Sequence, residues 1–248
     1  MPTPRPQPSA LSTALVIFAK APIPGQVKTR LCPPLTPDEA ATLHGSFVID
    51  TLERTKLAAA KLKWSVDRYL ACAPSSTHVF FKIMEERHGV KVIDQVGDDL
   101  GARMSQACES MFARGYSHVV MVGTDVPTVP FDHFAQARAQ LERHDLVLGP
   151  AFDGGYYLIA LKRMAPELFT RIPWSTNQVL NLTQEKASSL GLLTTLIQPW
   201  RDVDTLADLQ ALIETNMADS KKPKSERTFS TRTAGVLETL AKRLRSRT

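Results

Sequence analysis

Cysteine is scarce in this chain. Cys32, Cys72 and Cys108 stand far apart with no C-x-x-C pair. An odd, scattered set of this kind argues against a disulfide framework and points to reduced thiols, small and buried, in a cytoplasmic protein. No apolar run approaches the roughly 20 residues needed to cross a bilayer, so no transmembrane segment is expected. Residues 1–12, MPTPRPQPSALS, lack the apolar stretch and small-residue cleavage site of a signal peptide, and their proline content predicts a disordered leader. No internal repeat is visible. The G-x-x-x-x-G-K-S/T spacing of a Walker A loop is missing. The histidines, His44, His78, His88, His118, His133 and His144, include no pair at metal-ligand spacing and receive no role.

Excess charge is also missing from the body of the chain, although the net charge is +5. Nine Lys/Arg stand against three Asp/Glu from Ala218 to Thr248, a local +6, which leaves −1 over residues 1–217. The basic character belongs to the tail, and nucleic acid is not indicated as a partner.

The composition is that of a globular domain: 248 residues, 43% hydrophobic and 22% charged. Ala14–Phe18 (ALVIF) and His118–Val122 (HVVMV) are the continuous apolar runs expected of parallel strands buried on both faces. Trp64–Cys72, Val90–Ile93, Leu146–Leu148, Tyr156–Leu161 and Leu192–Ile197 read as further strands. Helices are predicted between them. Thr36-Pro37-Asp38-Glu39 is a capping-box start for a helix to about Lys61. Thr77–His88 ends at Gly89, and Leu100–Ala113 carries Leu100, Met104, Ala107, Cys108 and Met111 on one stripe. Phe131–Arg143, Thr176–Leu190 and Thr205–Met217 follow, with Thr205 and Asp208 placed to cap each other. Strands alternating with helices imply a mostly parallel sheet covered on both faces. Residues 13–217 are expected to form this domain. Residues 218–248 are expected to form a charged linker and a short amphipathic helix, Val236–Arg247, frayed and solvated.

Ligands of parallel sheets collect where strands end, and three polar clusters occupy such ends. After the first strand, Lys20, Lys28 and Arg30 place three cations within eleven residues, Thr29 lies among them, and Gly25 lets backbone approach a ligand; polyphosphates need such distributed charge. After HVVMV comes Asp125, placed either to hold Mg²⁺ or Mn²⁺ or to cap the next helix. The third cluster joins Asp153-Gly154-Gly155-Tyr156, readable as a hairpin turn or as an acceptor pocket with Asp153 as base, to Asp202 and Asp204. Either of the last two can supply a second metal carboxylate while the other caps the helix.

In that order, the segments FAKAPIPGQVKTRL, GDDLGARM, GTDVP, GPAFDGGYYLIAL, IPWST and DVDTLADL resemble a bacterial family of candidate glycosyltransferases in the nucleotide-diphospho-sugar transferase (GT-A) superfamily. That family is similar to phospholactate guanylyltransferases and molybdopterin nucleotidyltransferases. The likeness covers about residues 13–215. It implies a Rossmann-like GT-A fold, donor phosphates on Lys20, Lys28 and Arg30, a metal on Asp125 and Asp204, and an acceptor side lined by Gly154, Gly155, Tyr156, Trp174 and Ser175. Where relatives read S-D-C-P this chain has Thr124-Asp125-Val126-Pro127, which keeps the aspartate and excludes a role for that cysteine. The full D-x-D of many glycosyltransferases is missing here.

Three functions compete on this reading. The first is metal-dependent glycosyl transfer from a nucleotide-diphospho-sugar to a small acceptor, with Asp125 and Asp153 as the catalytic carboxylates. The second is nucleotidyl transfer from a nucleoside triphosphate to a phosphorylated acceptor with release of pyrophosphate, a reaction carried by positioning and charge neutralisation. The third is a non-catalytic nucleotide-binding protein. A homodimer is compatible with each.

Overall fold

The computed structural model describes residues 13–245, so the predicted leader lies outside the described residues. Among these, seven strands form a single sheet in the order β3-β2-β1-β4-β6-β5-β7. They are β1 (Thr13–Lys20), β2 (Val66–Ala73), β3 (Lys91–Asp94), β4 (His118–Gly123), β5 (Leu146–Pro150), β6 (Tyr156–Leu161) and β7 (Thr194–Leu196). β1 to β4 run parallel, as do β5 and β7, while β6 runs antiparallel to both of its neighbours. The expected mostly parallel sheet is therefore present. Its one reversed strand follows from the Asp-Gly-Gly turn, which folds β6 back on β5 instead of leading through a crossover helix.

β1 shows why the sheet is buried on both sides. Successive side chains of a strand face opposite ways. Leu15, Ile17 and Ala19 enter a core formed with α1 (Pro37–Lys61), α2 (Val79–His88) and α4 (Phe131–Leu141). Ala14 and Val16 enter a second core with α3 (Leu100–Ala113) and α5 (Val179–Ser189). The capping box of Thr36 and Glu39 starts α1, and that of Thr205 and Asp208 starts α6 (Leu206–Asp219). Other boundaries move by one to three residues. α5 begins late because Thr176 turns back to bond the Pro173 carbonyl. Leu100, assigned to the buried stripe of α3, is instead exposed at the mouth of a cleft.

The tail helix is not a frayed appendage. α7 (Thr231–Arg245) begins five residues earlier than expected and buries Leu237 and Leu240 in a third core with Leu31, Leu43, Phe47, Val203 and Leu209. Its amphipathic face had a partner that sequence could not show, namely the outer face of α1 together with α6. Arg243 pairs with Glu39 at 2.5 Å and donates to the Pro34 carbonyl. Arg54 on α1 ties the segment leading into α7 to the rest, donating to the carbonyls of Pro127, Val129 and Thr228.

Candidate active site

The carboxyl ends of β1 and β4 are neighbours, with Phe18 registered on Gly123. The loops leaving those ends therefore meet over the sheet edge, around a cleft of about 740 Å³. Lys20, Lys28, Thr29 and Arg30 line it from the first loop, Asp125 from the second, and Asp153, Gly155, Tyr156, Trp174 and Ser175 from the far wall. Asp202 and Asp204 line it as well. Two predicted members fall elsewhere. Gly25 has a left-handed backbone (φ 78°) in open space outside the lining, and Gly154 (φ 91°) is packed against the Asn177 backbone. Gly154 thus serves the turn rather than the acceptor, because a β-carbon there has neither the allowed backbone nor room.

Lys28 corrects the picture of a loop with three phosphate-facing cations. Its own left-handed backbone (φ 49°) starts a short 3-10 turn, and its side chain, 4% exposed, points inward. The ammonium lies 2.5 Å from Asp125 Oδ1 and 2.8 Å from Asp204 Oδ1, and donates to the Val203 carbonyl at 2.7 Å. Burial alone would depress the lysine pKa; Asp125 and Asp204 outweigh it and hold the value above the ordinary one. Asp125 is the mirror case, since burial raises its pKa but Lys28 and then His44 bring it below the usual carboxylate value. Asp125 does not cap α4, which begins at Phe131 behind Pro130 without a side-chain cap. Neither Asp202 nor Asp204 caps α6, where Thr205 and Asp208 do that work.

His44, given no role from sequence, stands in the site. It is 5% exposed, its Nε2 lies 3.0 Å from the Lys20 carbonyl, and its Nδ1 lies 3.9 Å from Asp125 Oδ1. Burial first, together with the neighbouring lysines, keeps its pKa below the ordinary histidine value despite Asp125. A lone histidine in mid-helix carried no signal of this. Asp98, Asp99 and Arg103 at the start of α3 also line the cleft; in the sequence they belong to the GDDLGARM segment and, for Arg103, to the predicted helix, and neither marks them as site residues.

Among the described residues, the group able to share one metal ion consists of Asp153, Asp202 and Asp204, with one carboxylate oxygen from each lying within 4.8 Å of the others. Three hard oxygen donors of this kind suit Mg²⁺ or Mn²⁺. Asp202 records the crowding: burial first, then Asp153 and Asp204, push its pKa up to about 7. Asp153 also accepts the Gly155 N–H at 2.8 Å, so the turn and the cleft readings of this segment hold together.

The sheet order and the edge on which the cleft opens define a Rossmann-like α/β protein of the nucleotidyltransferase and glycosyltransferase fold. Residues 56–176 match the family described as uncharacterized protein conserved in bacteria (DUF2064). A crystal structure from Desulfovibrio desulfuricans G20, named a candidate nucleotide-diphospho-sugar transferase, is 32% identical, with a TM-score of 0.80 over 94% of this chain and 97% of that one. The chain belongs to this family. More distant structures share the fold. A cytidylyltransferase from Leptospira borgpetersenii has a TM-score of 0.54 at 14% identity, over 94% of this chain and 95% of that one. A CMP:2-keto-3-deoxy-manno-octonic acid synthetase in complex with CTP has 0.53 at 14%, over 84% and 99%. No protein of curated function matches the sequence.

Proposed function

We propose that the protein is a transferase that binds a nucleotide-activated donor in this cleft and, with a divalent cation, transfers a glycosyl group from a nucleotide-diphospho-sugar to a small acceptor. The observation that carries the reading is the convergence on one cleft of Lys20 at the end of β1 and Arg30 from the loop after it with the carboxylates of Asp153, Asp202 and Asp204. The name given to the Desulfovibrio relative supports it.

Each residue then has a task its chemistry suits. Lys20 and the guanidinium of Arg30 meet the diphosphate. Asp153, Asp202 and Asp204 would hold Mg²⁺ or Mn²⁺, which supplies charge neutralisation for a departing diphosphate. Tyr156, Trp174 and Ser175 shape the acceptor wall.

Nucleotidyl transfer from a nucleoside triphosphate is the second reading. The fold shared with cytidylyltransferases favours it, but the commitment of Lys28 to two carboxylates leaves the loop with two free cations where a triphosphate calls for more charge. A thermal-shift panel of nucleotide sugars and nucleoside triphosphates with Mn²⁺ separates the readings. A ligand at a hundred times its Kd adds about 2.7 kcal/mol. Selective stabilisation by nucleotide sugars is the expected outcome, a preference for triphosphates moves the assignment to nucleotidyl transfer, and no response to any donor removes the enzyme reading.

A further inference from the structure

Asp125 meets protein groups where a metal would be expected to stand. The Lys28 ammonium has three donors and three oxygens around it: Asp125 Oδ1, Asp204 Oδ1 and the Val203 carbonyl. Asp125 Oδ1 is itself buried, with His44 Nδ1 3.9 Å away and that ring's Nε2 3.0 Å from the Lys20 carbonyl. The lysine reaches this position from a left-handed backbone that a non-glycine residue adopts at a cost. The ammonium also lies 6.0 Å from the ring centroid of Phe47, which belongs to the core with Leu31, Leu43 and Val203.

An ion bridging the same two aspartate oxygens at the 2.0–2.1 Å of magnesium coordination would overlap the ammonium that already touches both. We propose that Lys28 is the resident cation between Asp125 Oδ1 and Asp204 Oδ1, built into the chain where an ion bridging those two oxygens would stand, and that the divalent ion is held instead by Asp153, Asp202 and Asp204. The inference deepens the reading of the cleft given above and rests on it for the chemistry of the donor. It separates two roles that Asp125 and Asp204 would otherwise share. Asp125 anchors the cation loop to the sheet edge through Lys28. Asp204 serves both faces, with one oxygen on the ammonium. The loop is thereby fixed in its binding shape before any nucleotide arrives, and a donor needs only the outward cations Lys20 and Arg30.

The test counts Mn²⁺ bound to the full-length, nucleotide-free protein by electron paramagnetic resonance of the free ion. Lys28→Ala removes the ammonium and leaves space between the two carboxylates. It is expected to take up one more Mn²⁺ per chain than the wild type, and Lys28→Ala combined with Asp125→Asn is expected to lose that extra ion. No gain in Lys28→Ala overturns the proposal. Should Lys28→Ala fail to fold by circular dichroism, Asp125→Asn is compared with the wild type: equal Mn²⁺ uptake supports the proposal, and loss of an ion overturns it. Failure of the transferase reading would be seen separately, as indifference of the wild type to every nucleotide donor, and the Mn²⁺ count would still decide the role of Lys28.

Discussion

Gly101 and Trp174 leave no space for a β-carbon between them. One built on Gly101 would overlap the indole Nε1 and come within 2.5 Å of the Phe169 carbonyl oxygen. The first turn of α3, which brings Asp98, Asp99 and Arg103 to the cleft, is thus seated directly on the wall that carries Trp174 and Ser175. Gly101→Ala would gain about 0.5–1 kcal/mol of helix preference and lose about 1–3 kcal/mol to overpacking. Net destabilisation in urea, with a shift in tryptophan fluorescence, is expected. An unchanged spectrum at raised stability would show the contact to be looser than this.

Docking of α7 predicts a core-sized cost for a tail mutation. Leu237 is fully buried against α1 and α6. Leu237→Ala should cost about 2–5 kcal/mol, lowering the calorimetric Tm by several degrees. A surface position would change by less than about 0.5 kcal/mol, and such a result would return the helix to solvent.

Asp219 makes stability depend on acid. Its carboxylate, 3% exposed, accepts the N–H groups of Thr228 and Phe229 and pairs with Lys222, holding the turn between α6 and α7. Burial raises its pKa, but these donors outweigh burial, and the folded value lies below the ordinary 3.8. A depressed carboxylate stabilises fully above its unfolded pKa and loses that contribution as pH falls through its folded one. Asp219→Asn should therefore be destabilised at neutral pH by about 1–3 kcal/mol. In denaturant melts the gap to the wild type should narrow below pH 4; a gap that stays constant down to pH 2 would exclude the linkage.

Thiol chemistry separates the cysteines. Burial, aided by Asp94, pushes Cys72 up to about 12, and burial raises Cys108 further, whereas Cys32 is partly exposed. Because the thiolate is the reactive form, Ellman's reagent at pH 8 should titrate one thiol rapidly in the native protein and three in guanidinium. Two or more fast thiols would contradict the packing around Cys72 and Cys108. Sequence composition predicts all three as buried; Cys32, at the end of the short turn Thr29–Leu31, is only partly buried against the third core.

Much of the architecture was legible because its causes are local. The apolar runs of β1 and β4, the capping boxes at Thr36 and Thr205, the stop at Gly89 and, apart from the exposed Leu100, the stripe of α3 each depend on residues a few positions apart, and each stands where expected. The cations after β1 and the aspartate after β4 were assigned to one edge because parallel strands in a common sheet end on the same side.

What local pattern could not reveal was orientation across long separations. Whether the Lys28 side chain turned toward solvent or inward depended on Val203 and Asp204, 175 and 176 residues away. The meeting of Asp153 with Asp202 and Asp204, the entry of His44 from the middle of α1, and the burial of α7 depended likewise on packing between distant elements. Composition and periodicity report the preferences of a residue and its near neighbours. The partner of a charge or of an apolar helix face is chosen only when the sheet closes and buried groups must find compensation among whatever the tertiary fold brings to them.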